Sequence, residues 1–282
     1  MDQKQIEQGK KLIKSLYQPS PDSHKGQNGK VMVIGGSHLF HAASLWALKV
    51  VSRMVDMTFY SSVPENNEIV QKEKEEFRDG IIVPREQIES YIEESDSILI
   101  GPGLERTQET KELSEKLFKK YPTKKWVIDA GSLQMMEPEW MPENAIVTPH
   151  HKEFETLEIK DQKSKIKMIE QNLKIEDRVK LFAEEYNCVV LLKGLEDIIA
   201  SKDQLQIIKG GNAGMTKGGT GDVLAGLVVG SYAKNEAFKS AVAASFLNKL
   251  AGERLFEKMG FMYNASDLVE EIPFIYKACL EV

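Results

Sequence analysis

Cysteine is scarce. Cys188 and Cys279 are the only two in 282 residues, too few for a disulfide framework, and Cys188 opens the apolar run Cys188-Val-Val-Leu-Leu192 expected of a buried strand. Both are read as free thiols of a reducing compartment, which makes the cytoplasm the expected address. An excess of positive charge is also missing. The 37 Lys and Arg face 43 Asp and Glu, a formal net charge of -6, which argues against a surface built to neutralise nucleic-acid phosphates or anionic lipid. Small molecules are the expected partners. No apolar stretch approaches the length that crosses a bilayer, and the polar start Met1-Asp-Gln-Lys-Gln-Ile6 has no apolar signal core. Both common nucleotide loops are absent: no G-x-x-x-x-G-K-[ST] occurs, and Val33-Ile-Gly-Gly-Ser-His-Leu-Phe40 is not G-x-G-x-x-G. Histidine is rare as well, and no His or Cys cluster completes a zinc ligand set.

What remains is an α/β chain long enough for one large domain with an ample core. Short apolar runs bounded by Gly or Pro alternate with longer amphipathic stretches, the pattern of repeated βα units around a mostly parallel sheet. Strands are predicted over Lys30–Gly36, Met57–Ser61, Ser97–Gly101, Trp126–Asp129, Ala145–Thr148 and Cys188–Lys193, and helices over His41–Val55, Glu86–Glu94 and Ile175–Tyr186. Two antiparallel strands, Asp197–Ala200 and Gln204–Ile208, are expected to turn around Lys202-Asp203. Val223–Ala233 and Ala237–Phe256 are apolar all round and read as core helices. Repeats and linkers are not seen, and the charged stretches Gln71–Arg78 and Asp161–Lys174 read as solvated surface.

Six of the 20 glycines fall in Gly210-Gly-Asn-Ala-Gly-Met-Thr-Lys-Gly-Gly-Thr-Gly221, and each costs roughly 0.5–1 kcal/mol relative to Ala in regular structure. Bare backbone lets amides converge on an anion, while the following helix presents unpaired first-turn donors and about half a positive charge. Two or three amides on a phosphoryl oxygen, at about 1.5–3 kcal/mol each, would offset that cost. The alternative is a tight loop with Asp222 merely capping its helix, where Asp is favoured on dipole grounds alone. Beside an anion, however, a carboxylate is repulsive unless its chemistry is needed, as that of a general base for a hydroxyl would be.

In open α/β sheets ligands bind beyond the carboxyl ends of the strands, where five groups stand out. Gly35-Gly36-Ser37 and Gly101-Pro-Gly-Leu104 suit close backbone approach or plain turns. Asp129, ending an apolar strand, suits a water-mediated Mg²⁺ contact or a helix cap. Thr148-Pro-His150 brings an imidazole to a strand end, with Glu153 as a cap or a Mg²⁺ contact through water. Lys193-Gly194 ends a buried strand with a cation that either snorkels to solvent or reaches a phosphate.

In this order, Gly35-Gly-Ser37, Gly101-Pro-Gly-Leu104, Thr148-Pro-His-x-x-Glu153, Leu192-Lys-Gly194 and Gly211-Asn-Ala-Gly-Met215 running into Gly218-Gly-Thr-Gly-Asp-Val-Leu-Ala-Gly226 resemble the nucleotide-dependent NAD(P)H-hydrate dehydratase family, with Ala265-Ser-Asp-Leu268 and Ile272-Pro273 matching its closing segment. The resemblance implies a three-layer α/β/α ribokinase-like fold with a mostly parallel central sheet. It also implies repair of hydrated NADH or NADPH, driven by ADP or ATP with Mg²⁺ as cofactor, in a homo-oligomer that is a tetramer. Carried over by position, Ala43, Gly103, His150 and Asp222 would contact the hydrated dinucleotide. Lys193, Gly194, Leu195, Glu196, Asp197 and Gly221 would hold the adenine nucleotide. Gly219, Thr220 and Gly221 would form the anion hole, Glu153 would hold Mg²⁺ through water, and Asp222 would be the catalytic base. Lys217 is a candidate for a further phosphate contact. This chain has Ala42 where the family usually has Gly, Phe40 for Tyr, Met54-Val-Asp56 for Gly-Ala-Gly, and Leu195-Glu-Asp197 where Ala-x-Thr is frequent. Many family members carry an N-terminal epimerase domain, for which residues 1–282 leave no room, so one domain is expected. The rival readings are a ribokinase-like kinase of a small vitamin-precursor alcohol, which typically has Cys where Asp222 stands, and a non-catalytic nucleotide sensor.

Overall fold

The computed structural model describes residues 1–73, 77–160 and 173–281. In chain order its first half comprises α1 (Gln3–Lys14), β1 (Lys30–Ile34), α2 (Ala42–Val51), β2 (Met57–Ser61), α3 (Pro64–Lys72), β3 (Ile81–Ile82), α4 (Ile88–Glu94), β4 (Ser97–Ile100), α5 (Gln108–Lys120) and β5 (Lys125–Ile128). There follow α6 (Ala130–Met135), β6 (Ile146–Val147), α7 (His151–Lys160), α8 (Ile175–Glu185), β7 (Val189–Leu192), β8 (Asp197–Ala200), β9 (Leu205–Ile208), α9 (Thr220–Tyr232), α10 (Ala237–Met259) and α11 (Ala265–Leu280).

The strands are apolar at consecutive positions because both faces of the sheet are covered. Val31 and Val33 of β1 point into one core while Met32 and Ile34 point into the other. The first core is closed by α1, α2, α9, α10 and α11, the second by α4 to α8. These are the three layers of an α/β/α sandwich. Strand order is β3-β2-β1-β4-β5-β6-β7-β8-β9 among the described residues, parallel from β3 to β7, with β8 and β9 added as the expected antiparallel hairpin. The order reverses between β1 and β4, so the crevice beyond their carboxyl ends is the switch point at which ligands of such sheets bind.

Some expectations need correction. The polar N-terminal segment, read without a helix, forms α1, capped by Asp2. Its core-facing side is hard to see in sequence because it includes Gly9, whose missing Cβ makes room for the Phe246 ring, 2.2 Å from where that atom would stand. The helix predicted over 41–55 stops at Val51, and α9 starts at Thr220 and not at Val223. That earlier start puts Asp222 in the first helical turn. Cys188 and Cys279 are both free and buried. The charged stretch 161–174 lies outside the described residues up to residue 172, as do residues 74–76 of the stretch 71–78.

Candidate active site

Helix α9 begins at an amide-rich corner. Its N-cap, Gly219, sits at φ 95° and offers no side-chain acceptor to the first-turn amides, of which Thr220 N–H donates to Lys217 O at 3.4 Å, and the corner is the positive end of the helix dipole. A left-handed N-cap is easy only for glycine, and a Cβ here would also lie 2.4 Å from the Trp46 ring. The hydroxyl of Thr220 ties the loop down by donating to the carbonyls of Met215 (2.6 Å) and Lys217 (3.0 Å).

At the switch point the turns after β1 and β4 press together. Gly36 donates its N–H to Pro102 O at 2.8 Å, and a Cβ on Gly103 would lie 3.2 Å from that of Ala43. Gly101, at φ 126°, leaves no room at all, since a Cβ there would stand 1.7 Å from Asp129 O. Gly101→Ala is thus expected to lower stability by about 3 kcal/mol or more through backbone strain and overlap, read from the urea midpoint against wild type.

Asp129 is the N-cap residue of α6 but makes no cap bond. Its carboxylate, 1 % exposed, instead accepts from Lys193 Nζ at 2.8 Å. Of the alternatives read from sequence, then, Asp129 is no cap and Lys193 does not snorkel. Lys193 is brought there by the bridge between His150 and Lys193, in which Lys193 N–H donates to Pro149 O at 2.7 Å. Its Nζ also comes within 3.5 Å of the Cβ position of Gly221. Burial alone would lower the Lys193 pKa, but the carboxylates of Asp129, Glu153 and Asp222 outweigh it and hold the amine charged, with a raised pKa.

Asp222 responds in the opposite sense. Burial, reinforced by the nearby negative charge of Asp129 and only partly relieved by Lys193, pushes its carboxyl up to about 7. A carboxyl raised toward neutrality at the start of a helix has the properties of a general base.

Glu153, also buried, is a capping residue. Its Oε2 accepts from His150 N–H at 2.8 Å, its Oε1 accepts from Gln134 Nε2 at 2.6 Å, and its own N–H donates to His150 Nδ1 at 3.1 Å. This is a capping box with histidine in the N-cap position, and His150 Nε2 also faces Glu153 Oε1 at 3.6 Å.

Two clefts meet at the start of α9. One, of about 740 Å³, is lined by Ala43, Gly103, Gly219 and Asp222 together with Trp46 and Gln134. The other, of about 510 Å³, is lined by His150, Lys193, Gly194, Leu195, Thr220 and Gly221 among others. Three of the four residues assigned by resemblance to the dinucleotide therefore share one cleft, and His150 lines its neighbour. Glu196 turns to Lys209 at 2.9 Å. Asp197, which lines the second cleft too, is buried, its carboxylate accepting from Gly194 N–H at 3.0 Å and from Ser245 Oγ at 2.7 Å. Lys217 donates to the carbonyls of Phe261 and Tyr263, which directs it to the start of α11.

Sequence reasoning passed over Asn248 and Lys249, which line the second cleft. The buried Lys249 amine donates to the carbonyls of Gly194 (3.0 Å), Leu195 (3.1 Å) and Gly210 (3.2 Å) and pairs with Asp197 at 3.3 Å. The signal was present: an amide and a cation interrupt the apolar run of a core helix.

A profile of the NAD(P)H-hydrate dehydratase family matches residues 31–274. The bifunctional NAD(P)H-hydrate repair enzyme of Methanocaldococcus jannaschii is 36% identical over 272 residues, covering 94% of this chain and 51% of its own. The chain spans about half the length of several such relatives. The ADP-dependent (S)-NAD(P)H-hydrate dehydratase of Nitrosopumilus maritimus is 32% identical, with 90% of this chain and 91% of its own covered. In fold, a ribokinase-like superfamily protein of Enterococcus faecalis superposes with a TM-score of 0.82 at 22% identity, covering 96% of this chain and 94% of its own. An ADP/ATP-dependent NAD(P)H-hydrate dehydratase of Bacillus subtilis, co-crystallized with ATP/Mg²⁺, gives 0.78 at 19%, with 96% and 97% covered. The fold is ribokinase-like, and the chain belongs to the NAD(P)H-hydrate dehydratase family.

Proposed function

We propose that this chain restores NADH and NADPH from their hydrates, in which water has added across the C5–C6 double bond, using ADP or ATP as co-substrate. One observation carries the reading beyond family membership: Asp222, whose carboxyl is pushed up by burial and by Asp129, lines one cleft at the start of a helix whose neighbouring residues Thr220 and Gly221 line the other.

The hydrated ring lies in the cleft of Ala43 and Gly103, and the nucleotide phosphates lie against Lys193, Gly194 and Gly221. Asp222 takes the proton of the substrate hydroxyl, whose oxygen attacks the terminal phosphoryl group, and AMP or ADP leaves. Amides of Gly219, Thr220 and Gly221 stabilise the charge that develops on the phosphoryl oxygens. Phosphate leaves far more readily than hydroxide, so the ring nitrogen expels it, and loss of a proton from the adjacent C5 restores the dihydropyridine. Lys193 is suited to the donor phosphate because it stays charged and is fixed by Asp129.

Among the described residues no three His, Cys, Asp or Glu side chains converge as direct metal ligands. Carboxylates that act on one another at longer range, Asp129, Glu153 and Asp222, fit Mg²⁺ carried on nucleotide phosphates, with Glu153 holding it through water, and do not fit an all-protein cage. Bound there, Mg²⁺ would neutralise charge on the transferred group. Residues 1–282 are read as one domain of a cytoplasmic homotetramer. Support for assembly comes from the exposed apolar residues Phe256, Met259, Phe261 and Met262, which lie close along the chain.

The test is incubation with chemically hydrated NADH, Mg²⁺ and either ADP or ATP. Return of the dihydronicotinamide absorbance is expected with at least one nucleotide. No recovery with either overturns the reading, and phosphoryl transfer to a thiazole or hydroxymethylpyrimidine alcohol would instead make the chain a kinase.

A further inference from the structure

Asn248 is 5 % exposed, lines the nucleotide-side cleft, and has an amide oxygen that finds no hydrogen-bond partner among the described residues. A buried acceptor without a partner is costly, and an amide on a cleft wall finds its missing partner in a ligand that brings an N–H. The surroundings narrow the ligand. Leu195, 86 % exposed, offers an apolar flank in the same lining, and Met215 and Leu224 line the same space. Gly210 and Gly211, at φ 114° and 77°, give a wall of bare backbone. Lys249, the next residue on α10, fixes the two walls to each other through the carbonyls of Gly194, Leu195 and Gly210. The result is a cleft whose lining combines apolar side chains and bare backbone with the unpartnered Asn248 acceptor, which suits a heterocycle with an exocyclic amino group.

We infer that Asn248 reads the base of the nucleotide, its amide oxygen accepting from the 6-amino group of adenine and its amide nitrogen donating to the neighbouring ring nitrogen, N7. An asparagine amide matches that donor–acceptor pair on adenine, whereas a 6-oxo purine presents acceptors at both positions. The inference rests on the reading of this cleft as the nucleotide site.

The experiment is calorimetric titration of wild type, Asn248→Leu and Asn248→Ser with ADP and with IDP, each with Mg²⁺. Wild type is expected to bind ADP about tenfold or more tightly than IDP, and both variants to bring the two nucleotides within about threefold of each other, chiefly by weakening ADP. Asn248→Ser covers the outcome in which leucine disturbs the helix packing. A wild type without preference, or a preference that survives in a folded variant, overturns the role of Asn248 while leaving the nucleotide site intact. Failure of wild type to bind either nucleotide overturns the underlying reading instead.

Discussion

Asp222→Asn is expected to cut turnover about a thousandfold while leaving nucleotide affinity within a few fold, the usual range for loss of a general base. The amide keeps the shape and hydrogen-bonding reach of the carboxylate but cannot take the hydroxyl proton. Single-turnover recovery of NADH from its hydrate, set beside ADP titration of the same preparation, separates the two quantities. Unchanged turnover would remove Asp222 from the chemistry, and lost nucleotide binding would make it a structural or binding residue. In the wild type, kcat/KM should rise with pH to a plateau with a midpoint near 7, since the base works only once ionised and its carboxyl is pushed up to about 7. The same shift predicts a gain in stability. The folded carboxyl binds its proton more tightly than the unfolded one, whose ordinary value is 3.8. This contribution is fully present below the unfolded value and is lost as pH rises through the folded value near 7. Above that pH the wild type carries a penalty on the order of 2 kcal/mol, after discounting for partial solvent access. Asp222→Asn is free of it, so the variant should melt higher than wild type at pH 8, with the difference fading toward pH 4.

How much of this was legible in the chain depended on the range of the interaction. The double-faced strands announced themselves as unbroken apolar runs, and the Gly218–Asp222 segment stood out because so many glycines in one loop need a reason. Local chemistry was also readable: the bond between Glu153 and the His150 amide spans three residues, and capping was one of the two readings offered. Asp129 and Lys193 were each noticed as strand-end residues, but their bond joins positions 64 apart, and nothing local says that β5 and β7 flank the short β6. Asp197 lines the second cleft with Lys193, Gly194 and Leu195, the residues it follows in the chain. The register of β8 turns its side chain to Ser245 and Lys249 on α10, a helix about 50 residues further on. Such contacts exist only once the sheet order exists.

That long-range pair supports the second prediction. Lys193→Gln should destabilise the fold by about 3–5 kcal/mol, because it strands the Asp129 carboxylate, 1 % exposed, without its countercharge. It should also weaken ADP binding, and it should move the midpoint of the kcat/KM profile toward higher pH, since Lys193 is the foremost group holding the Asp222 pKa down. Asp129→Asn should move the midpoint the other way, because Asp129 is the foremost charge raising it. It should cost less stability, as the freed lysine still faces Glu153 and Asp222. Combined, Asp129→Asn and Lys193→Gln should regain much of the lost stability, since no charge is then buried alone, yet not the lost nucleotide affinity, which depends on the amine itself. Thermal melts, ADP titrations and pH profiles of the two single variants and the double variant check each part. Midpoints that shift in the same direction, or not at all, would show that the pair does not set the ionisation of Asp222.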